Sequence, residues 1–302
     1  MTVGPLAPRG TTTRPPRRVT PTVAVLLVLT LAAGCVLPTG AAAPREQHAR
    51  HRGPLHYAAN GNFTSAHRYT PRRFGFTMAD VSTRAQLRAM PSGVKALVYL
   101  GLCSGVDREF VARARPFLRR PRVFGFYVID EPDPQTCPPA TLKQQTAWLH
   151  RYAPGKRTFV LIRNLASSQQ PSYVGGYTHQ NSGVDLFGVD PYPCRSELHG
   201  CDLDMVNAYV RAVVASGIPK SRIIPVYQAF GGGEWQDDGG GQFVLPTPRQ
   251  ARALLTRWAT LVPHPVFDFV YSWGQQRGDR SLANASPALR GVFAAHNRRG
   301  RR

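Results

Sequence analysis

The sequence predicts a single α/β domain with the (β/α)8 fold, the TIM barrel, preceded by a signal peptide. Continuous apolar runs alternate with helical patterns over about 250 residues, as the repeated strand–helix units of such a barrel require. The runs do not alternate in polarity, which is typical of strands buried on both faces of a parallel sheet. A doubly wound open sheet is the alternative. It is disfavoured because no G-x-G-x-x-G follows the first strand and because polar residues end nearly every strand.

Seven apolar, β-branched or aromatic runs are predicted to form strands. They cover residues 74–78, 94–100, 123–129, 157–162, 184–189, 223–227 and 267–273. A barrel needs an eighth strand, and the short, polar segment 55–63 is the best remaining match.

Helical patterns fill the intervals between these runs. Apolar residues recur at helical spacing at positions 206, 209, 210, 213 and 214, and Gly217 and Pro219 then end the helix. Another helix is predicted to begin at Thr247, an N-cap followed by Pro248 and by Gln250 for a capping box. A third carries an apolar stripe at positions 142, 149 and 152.

The N-terminal segment has the pattern of an exported protein. Arginines at positions 14, 17 and 18 precede an apolar run over residues 23–33, and small residues follow, which predicts a signal peptide within residues 1–43. The run is shorter than the roughly 20 residues of a membrane-spanning helix, although an uncleaved anchor remains an alternative. Cys35 ends a lipobox-like sequence, so lipidation there competes with cleavage near residues 41–43.

The expected organisation is a flexible leader over residues 44–54, the barrel over residues 55–298 and a basic tail over residues 299–302. The expected location is extracellular, either free or lipid-anchored on the outer face of the cell membrane.

The four remaining cysteines agree with export. The strand assignments put Cys194 and Cys201 in one loop, and they put Cys103 and Cys137 after two adjacent strands. These two pairs are therefore predicted to form disulfides, with reduced, inert thiols as the alternative. The sequence contains no C-x-x-C pair, and the histidines do not fall at ligand spacing around the cysteines, so no metal and no cofactor are predicted.

The residues at the strand ends indicate the function, because the carboxyl ends of barrel strands converge on one rim. In chain order they are Asp80, Cys103, Asp130 and Glu131, Arg163 and Asn164, Asp190 with Tyr192, Gln228, and Trp273 with Gln275. Carboxylates, amides, an arginine and aromatic rings suit a carbohydrate, whose rings stack on aromatic faces and whose hydroxyls form hydrogen bonds. The alternative is that Asp130 and Asp190 only cap helices or pair with arginines.

Residues 124–132, which end in Asp130-Glu131-Pro132, resemble the fourth-strand segment of the large clan of retaining barrel glycoside hydrolases. In that clan the Glu before Pro is the general acid/base, which the resemblance assigns to Glu131. The strands ending at Asn164, Asp190, Gln228 and Trp273 would then be the fifth to the eighth. Residues 185–193 are similar to sixth-strand segments of uncharacterised glycosidase-like barrels, and the resemblance extends over residues 74–273.

One position departs from the clan. Its nucleophile is a Glu that ends the seventh strand, whereas this chain has Gln228, which cannot form a glycosyl-enzyme. The second carboxylate would be Asp190, which ends a strand, or Glu234, which follows three glycines and precedes the candidate sugar-binding Trp235. Asp190 as the second carboxylate would favour hydrolysis with inversion at the anomeric carbon, which needs about 6.5–9.5 Å between the two carboxyl groups.

Two functions follow as expectations. The first is a secreted hydrolase of O-glycosidic bonds in a poly- or oligosaccharide. The second is a barrel that binds a glycan without cleaving it. The formal net charge of +21, from 38 Lys and Arg against 17 Asp and Glu, points to an anionic glycan or cell-wall polymer as partner. A nucleic-acid partner is not expected, since no matching motif occurs, and the chain is expected to be a monomer.

Overall fold

A computed structural model describes residues 53–198, 200–236 and 240–299. The predicted signal peptide, Cys35, most of the leader and the last three residues of the basic tail lie outside the described residues. Eight parallel strands form a closed barrel. They are β1 (Leu55–Ala58), β2 (Met78–Val81), β3 (Lys95–Tyr99), β4 (Val123–Asp130), β5 (Arg157–Leu161), β6 (Leu186–Val189), β7 (Ile223–Gln228) and β8 (Phe267–Tyr271).

Helices pack around the strands and complete the predicted fold class. They are α1 (Arg84–Ala89), α2 (Arg108–Ala114), α3 (Pro139–Tyr152), α4 (His179–Ser182), α5 (Leu203–Ala215), α6 (Pro248–Leu261) and α7 (Pro287–Arg298). The capping box predicted at the start of α6 is present, with Thr247 accepting from the Gln250 amide and the Gln250 side chain accepting from the Thr247 amide. In the part of the chain that the structure describes, no helix is long and apolar enough to cross a membrane.

The barrel closes between its first and last strands. His56 of β1 is in register with Asp268 of β8, and Tyr57 of β1 is in register with Met78 of β2. The polar segment predicted as the eighth barrel strand thus supplies β1 over its first four residues. The closed parallel barrel confirms the (β/α)8 prediction and brings all the strand ends to one face.

Alternate side chains of the strands fill the barrel interior. They form a cluster with Tyr57, Met78, Leu97, Tyr127, Phe159, Leu161, Leu186, Ile224, Val226, Phe267 and Phe269 among its members. Gly188 of β6 leaves the space for this filling, because a Cβ there would lie 2.6 Å from Leu161 and 2.7 Å from the Phe159 ring. A larger apolar cluster packs between the strands and the surrounding helices.

Two of the observed strands have bounds that differ from the predicted ones. Residues 71–74 form a 3-10 turn rather than the start of a strand, and β2 begins only at Met78. The turn ends because Gly75 adopts a left-handed φ of 85°. The strand predicted over residues 267–273 ends two residues early, at Tyr271, and the Trp273 ring leaves the sheet to pack against Phe74 and Phe76.

Two disulfides brace the loops on the carboxyl side of the strands. Cys103 is bonded to Cys137, and Cys194 is bonded to Cys201, which are the predicted pairs. The second bridge joins two short antiparallel strands in the loop between β6 and α5, where Cys194 is in register with Cys201.

Candidate functional site

A cavity of about 380 Å³, here called the central cavity, opens at the carboxyl ends of β4 to β8. It has both acidic and aromatic walls. Its lining residues are Asp130, Glu131, Leu161, Arg163, Asn164, Ser168, Asp190, Tyr192, Arg195, Tyr209, Phe230, Trp235, Gln236, Phe243 and Tyr271.

Two of the cavity carboxylates come from the end of β4. Asp130 is its last residue, and Glu131 follows with a left-handed φ of 40°, a conformation that non-glycine residues adopt at a cost. The Glu131 amide donates to the Leu161 carbonyl at 3.0 Å, which fixes this turn against β5. The Tyr127 hydroxyl donates to Asp130. Burial raises the pKa of Asp130, and the Tyr127 hydrogen bond opposes that shift.

The third carboxylate, Asp190, follows directly after β6 and is only 9% exposed. Burial raises its pKa well above the ordinary value, and the negative charges of Glu131 and Asp130 raise it further. Two neighbouring carboxyl groups that resist ionising together retain one proton between them at higher pH than either would alone. Asp190 therefore keeps its proton to a higher pH than an exposed aspartate does.

Two arginines also line the central cavity. Arg163 lies 3.6 Å from Asp133, just outside the cavity. Arg195 is 5% exposed, and its guanidinium donates to the Tyr192 carbonyl at 3.1 Å and to the Ser168 hydroxyl at 3.1 Å. The same guanidinium lies 5.2 Å from the centre of the Phe243 ring. Arg195 is thus held by the backbone of the β6–α5 loop rather than by a flexible surface contact.

The central cavity continues on both sides into a groove. On one side, an acidic cavity of about 380 Å³ shares Asp130, Trp235 and Tyr271 with it and adds Asp80 and Tyr99. On the other side, an outer cavity shares Arg163 and Asn164 with it. A chain-like ligand that bound along this groove would cross the Glu131–Asp190 pair near its middle.

Eight of the sequence-predicted residues line this groove. Asp130, Glu131, Asp190, Arg163, Asn164, Tyr192 and Trp235 line the central cavity, and Asp80 lines the acidic cavity. Four others do not: Gln228, Trp273, Gln275 and Glu234 are absent from the lining of all three cavities.

Gln228 is a correction to the predicted sugar contact. Its side chain is fully buried, and its amide nitrogen donates to the carbonyls of Cys194 at 2.9 Å, Val244 at 3.1 Å and Phe230 at 3.4 Å. Its amide oxygen accepts from the Cys194 amide at 2.8 Å. With both ends of the amide used by loop backbone, Gln228 positions two rim loops and offers nothing to a sugar hydroxyl.

The other three residues also point elsewhere. The Trp273 indole donates to Thr70 at 2.9 Å and is 3% exposed, so Tyr271 and Trp235 supply the aromatic surfaces instead. The Gln275 amide nitrogen donates to the Asp279 carbonyl at 2.6 Å. Glu234 is exposed outside the cavity, where its backbone amide donates to the Arg277 carbonyl.

Several lining residues were not predicted. Arg195, Tyr209, Phe243 and Tyr271 line the central cavity, and Tyr57, Tyr99 and Tyr127 line the acidic cavity. Every second residue of a barrel strand points to the interior, and this pattern includes Tyr57, Tyr127 and Tyr271. The alternation could therefore have predicted that these three side chains face the cavity. Arg195 and Phe243 are brought in by loops, for which no such periodic signal exists.

A group that could hold a metal lies away from the groove. His56, Asp268 and His296 offer ligand atoms within 4.8 Å of one another, between the barrel and α7. Both histidines are within hydrogen-bond distance of Asp268, at 2.9 Å and 2.8 Å. Burial alone would raise the pKa of Asp268, but the two histidines lower it to about 2. The carboxylate is thus already stabilised by its partners.

No protein-family model and no curated protein matches this sequence. Solved structures do match the fold. A GH18 chitinase from Cycas revoluta, solved as a double mutant in complex with (GlcNAc)4, aligns with a TM-score of 0.52 and 14% identity, over 80% of this chain and 99% of that one. The C-terminal domain of a protein named as a chitinase, from Desulfitobacterium hafniense DCB-2, aligns with a TM-score of 0.53 and 11% identity, over 82% and 100%. The chain therefore has a glycoside hydrolase-like (β/α)8 fold, similar to that of GH18 chitinases.

Proposed function

We propose that this protein is an exported glycoside hydrolase that cleaves a polysaccharide containing 2-acetamido sugars. The observation that carries the proposal is the Glu131–Asp190 pair at the ends of β4 and β6, on one cavity within a groove. The raised pKa of Asp190 supports it, because a protonated Asp190 can resupply the proton that Glu131 gives to the leaving group.

The two carboxyl groups have different roles in this proposal. Glu131 is the more exposed, so it delivers the proton to the glycosidic oxygen of a sugar chain lying in the groove. Asp190 is buried beside it and returns a proton to Glu131 as the leaving group departs. Arg163 and Arg195 orient the sugar hydroxyls, and the rings of Tyr192, Trp235 and Tyr271 stack on the pyranose faces.

The attack on the anomeric carbon does not require a carboxylate on β7. GH18 enzymes are an exception to the two-carboxylate rule, because the substrate's own 2-acetamido group assists the reaction. The fold similarity to GH18 chitinases, one of them solved with (GlcNAc)4, supports this route and the substrate class. The attack of water with Asp190 as base, giving inversion, is the competing route.

The test is release of reducing ends from (GlcNAc)4, longer oligomers and a panel of polysaccharides. Glu131→Gln is expected to lower kcat by roughly 10²–10⁴-fold, the usual range for a lost general acid, with the fold intact. Asp190→Asn is expected to lower kcat as well and to move the alkaline limb of the pH profile. Because the pKa of Asp190 is raised, activity that needs its proton should fall as the pH rises through that raised pKa.

A matched control is Asp204→Asn, an exposed carboxylate on α5, which should keep full activity. The anomer formed first, read by NMR, separates the two routes: retention supports assistance by the acetamido group, and inversion supports Asp190 as base. Normal turnover of a natural glycan by Glu131→Gln would refute the catalytic assignment.

Binding without hydrolysis is the second candidate. Gln228 favours it, since the strand-7 position that carries a nucleophile in the retaining clan is here used for loop support. The absence of reducing-end release by the wild-type protein, together with retained affinity for the same oligomers, would select this alternative.

Export is part of the proposal. Two disulfides on the rim support an oxidising destination, where such bonds persist. We propose that the mature protein acts outside the cell, free or held by a lipid at Cys35, and that its positive charge favours anionic cell-wall polymers.

A further inference from the structure

The acidic cavity differs in character from the central cavity. It is lined by aromatic rings, with Tyr57, Tyr99, Tyr127 and Trp235 among them, and by the two carboxylates Asp80 and Asp130. Rings around a carboxylate are the arrangement that proteins use to bind ammonium groups, since the ring faces and the carboxylate both attract a cation.

Asp80 is the carboxylate that lacks compensation. Its Oδ2 accepts from the Asn60 amide at 3.3 Å, and hydrogen bonding from Asn60 and from the Tyr57 side chain lowers its pKa, but its Oδ1 is buried with no partner within hydrogen-bond distance. Among the described residues, no cation forms an ion pair with Asp80 or with Asp130. Burial raises the pKa of Asp80 to about 6, so at neutral pH it is an ionised carboxylate without a counter-charge.

The other charged group of this cavity does not fill that need. The Arg277 guanidinium lies 4.5 Å from the centre of the Trp235 ring, stacked on the aromatic wall. Two carboxyl groups and one guanidinium stand among the described lining residues, and that guanidinium is stacked on Trp235 and forms no ion pair with Asp80.

We propose that the acidic cavity binds the free 2-amino group of a de-N-acetylated amino sugar. The inference rests on the proposed function, because it deepens the substrate class of the same groove. Asp130 and Trp235 line both cavities, so a chain that carries an acetamido sugar beside Glu131 carries the neighbouring unit into the acidic cavity. There an ammonium group would supply the counter-charge that the Asp80 carboxylate lacks, whereas a neutral N-acetyl group would not.

The substrate implied is a partially de-N-acetylated polymer, cationic at neutral pH. The reaction class that must supply it is deacetylation, the hydrolysis of an N-acetyl amide to a free amine and acetate with water as the co-reactant. The groove would then discriminate by charge between modified and unmodified stretches of one polymer.

The experiment measures the affinity of the full chain for (GlcN)4 and for (GlcNAc)4 at pH 7 by calorimetry, with methylammonium as a third ligand. Wild type is expected to bind (GlcN)4 at least about 10-fold more tightly than (GlcNAc)4, as a charge-assisted hydrogen bond allows. Asp80→Asn should remove that preference and change the affinity for (GlcNAc)4 by less than about 2-fold. Asp80→Glu should retain part of it, and Asp204→Asn should leave both affinities unchanged.

Each outcome decides one claim. Equal affinities in wild type, or an equal loss for both oligomers in Asp80→Asn, overturn the ammonium site and leave the hydrolase proposal standing. A preference for (GlcN)4 that Asp80 controls, with no reducing-end release, supports the ammonium site and overturns hydrolysis. Methylammonium binding as tight as (GlcN)4 would show an amine site without sugar recognition and would overturn the amino-sugar assignment.

Discussion

At the scale of single residues, Gln228 explains why its position does not carry a carboxylate. Its amide oxygen accepts from the Cys194 amide, and its amide nitrogen donates to the carbonyls of Cys194 and Val244. A glutamate has the same shape but lacks the donor. Its second oxygen would face the carbonyl oxygens of Cys194 and Val244 in a buried environment.

Gln228→Glu is therefore expected to destabilise the fold rather than restore a nucleophile. The loss should be about 3 kcal/mol or more at pH 7, because a buried charge would replace a satisfied donor. This loss of stability should be smaller near pH 4, where the introduced carboxyl group is protonated and can donate one hydrogen bond. Urea unfolding at both pH values measures the free energy of unfolding, with the exposed Gln144→Glu as matched control. A variant as stable as wild type, with higher turnover, would contradict this account.

At the scale of elements, the loop between β6 and α5 connects stability to the site. The Cys194–Cys201 bridge spans a sequence separation of 7, and the neighbouring Arg195 enters the central cavity. Because Gln228 bonds both backbone groups of Cys194, strand β7 and the disulfide hold the same residue from two sides.

Removing this bridge with Cys194→Ser and Cys201→Ser together is expected to cost roughly 2–3 kcal/mol of stability by the loop-entropy model. The same change should raise KM for oligosaccharides more than it lowers kcat, since Arg195 loses its support. The comparison is the double serine variant at Cys103 and Cys137, whose longer loop predicts about 4 kcal/mol. If the first variant loses stability with KM unchanged, the bridge does not position Arg195.

The elements also show which parts of the fold were readable from the sequence. The apolar runs that became β3 to β7 were predicted within a few residues, because strands buried on both faces must be continuously apolar. The strand predicted from residue 74 began too early for the same reason. Phe74 and Phe76 are apolar because they pack against Trp273, outside the sheet.

The site was readable only in part. Glu131 and Asp190 were predicted to share one rim because they end predicted strands, and both line the central cavity. The direction of the Gln228 side chain depends on Cys194 and Val244, which are 34 and 16 residues away in sequence, so periodicity carries no information about it. The same holds for Arg195 and Phe243, which loops bring together.

At the scale of the whole molecule, the chain is strongly basic, whereas the groove is lined by carboxyl groups. The chain carries a formal net charge of +21, yet the floor of the groove holds Asp80, Asp130, Glu131 and Asp190. A basic surface attracts a polyanion through long-range forces, whereas a groove discriminates at contact distance. The two features are compatible if the protein associates with an anionic wall polymer and cleaves a different, amino-sugar polymer beside it.

That arrangement requires export, which is the last prediction. The arginines at positions 14, 17 and 18 before the apolar run of residues 23–33 predict that the mature protein lacks at least the first 34 residues. N-terminal sequencing of protein from the producing cell should therefore recover no residue from positions 2–22. Lipidation is separable from export: if a lipid at Cys35 holds the protein on the membrane, Cys35→Ala should release it to the medium, and the Cys103→Ser/Cys137→Ser variant, which keeps Cys35, should stay bound. Recovery of the arginine cluster in the mature chain would contradict cleavage of the predicted signal peptide.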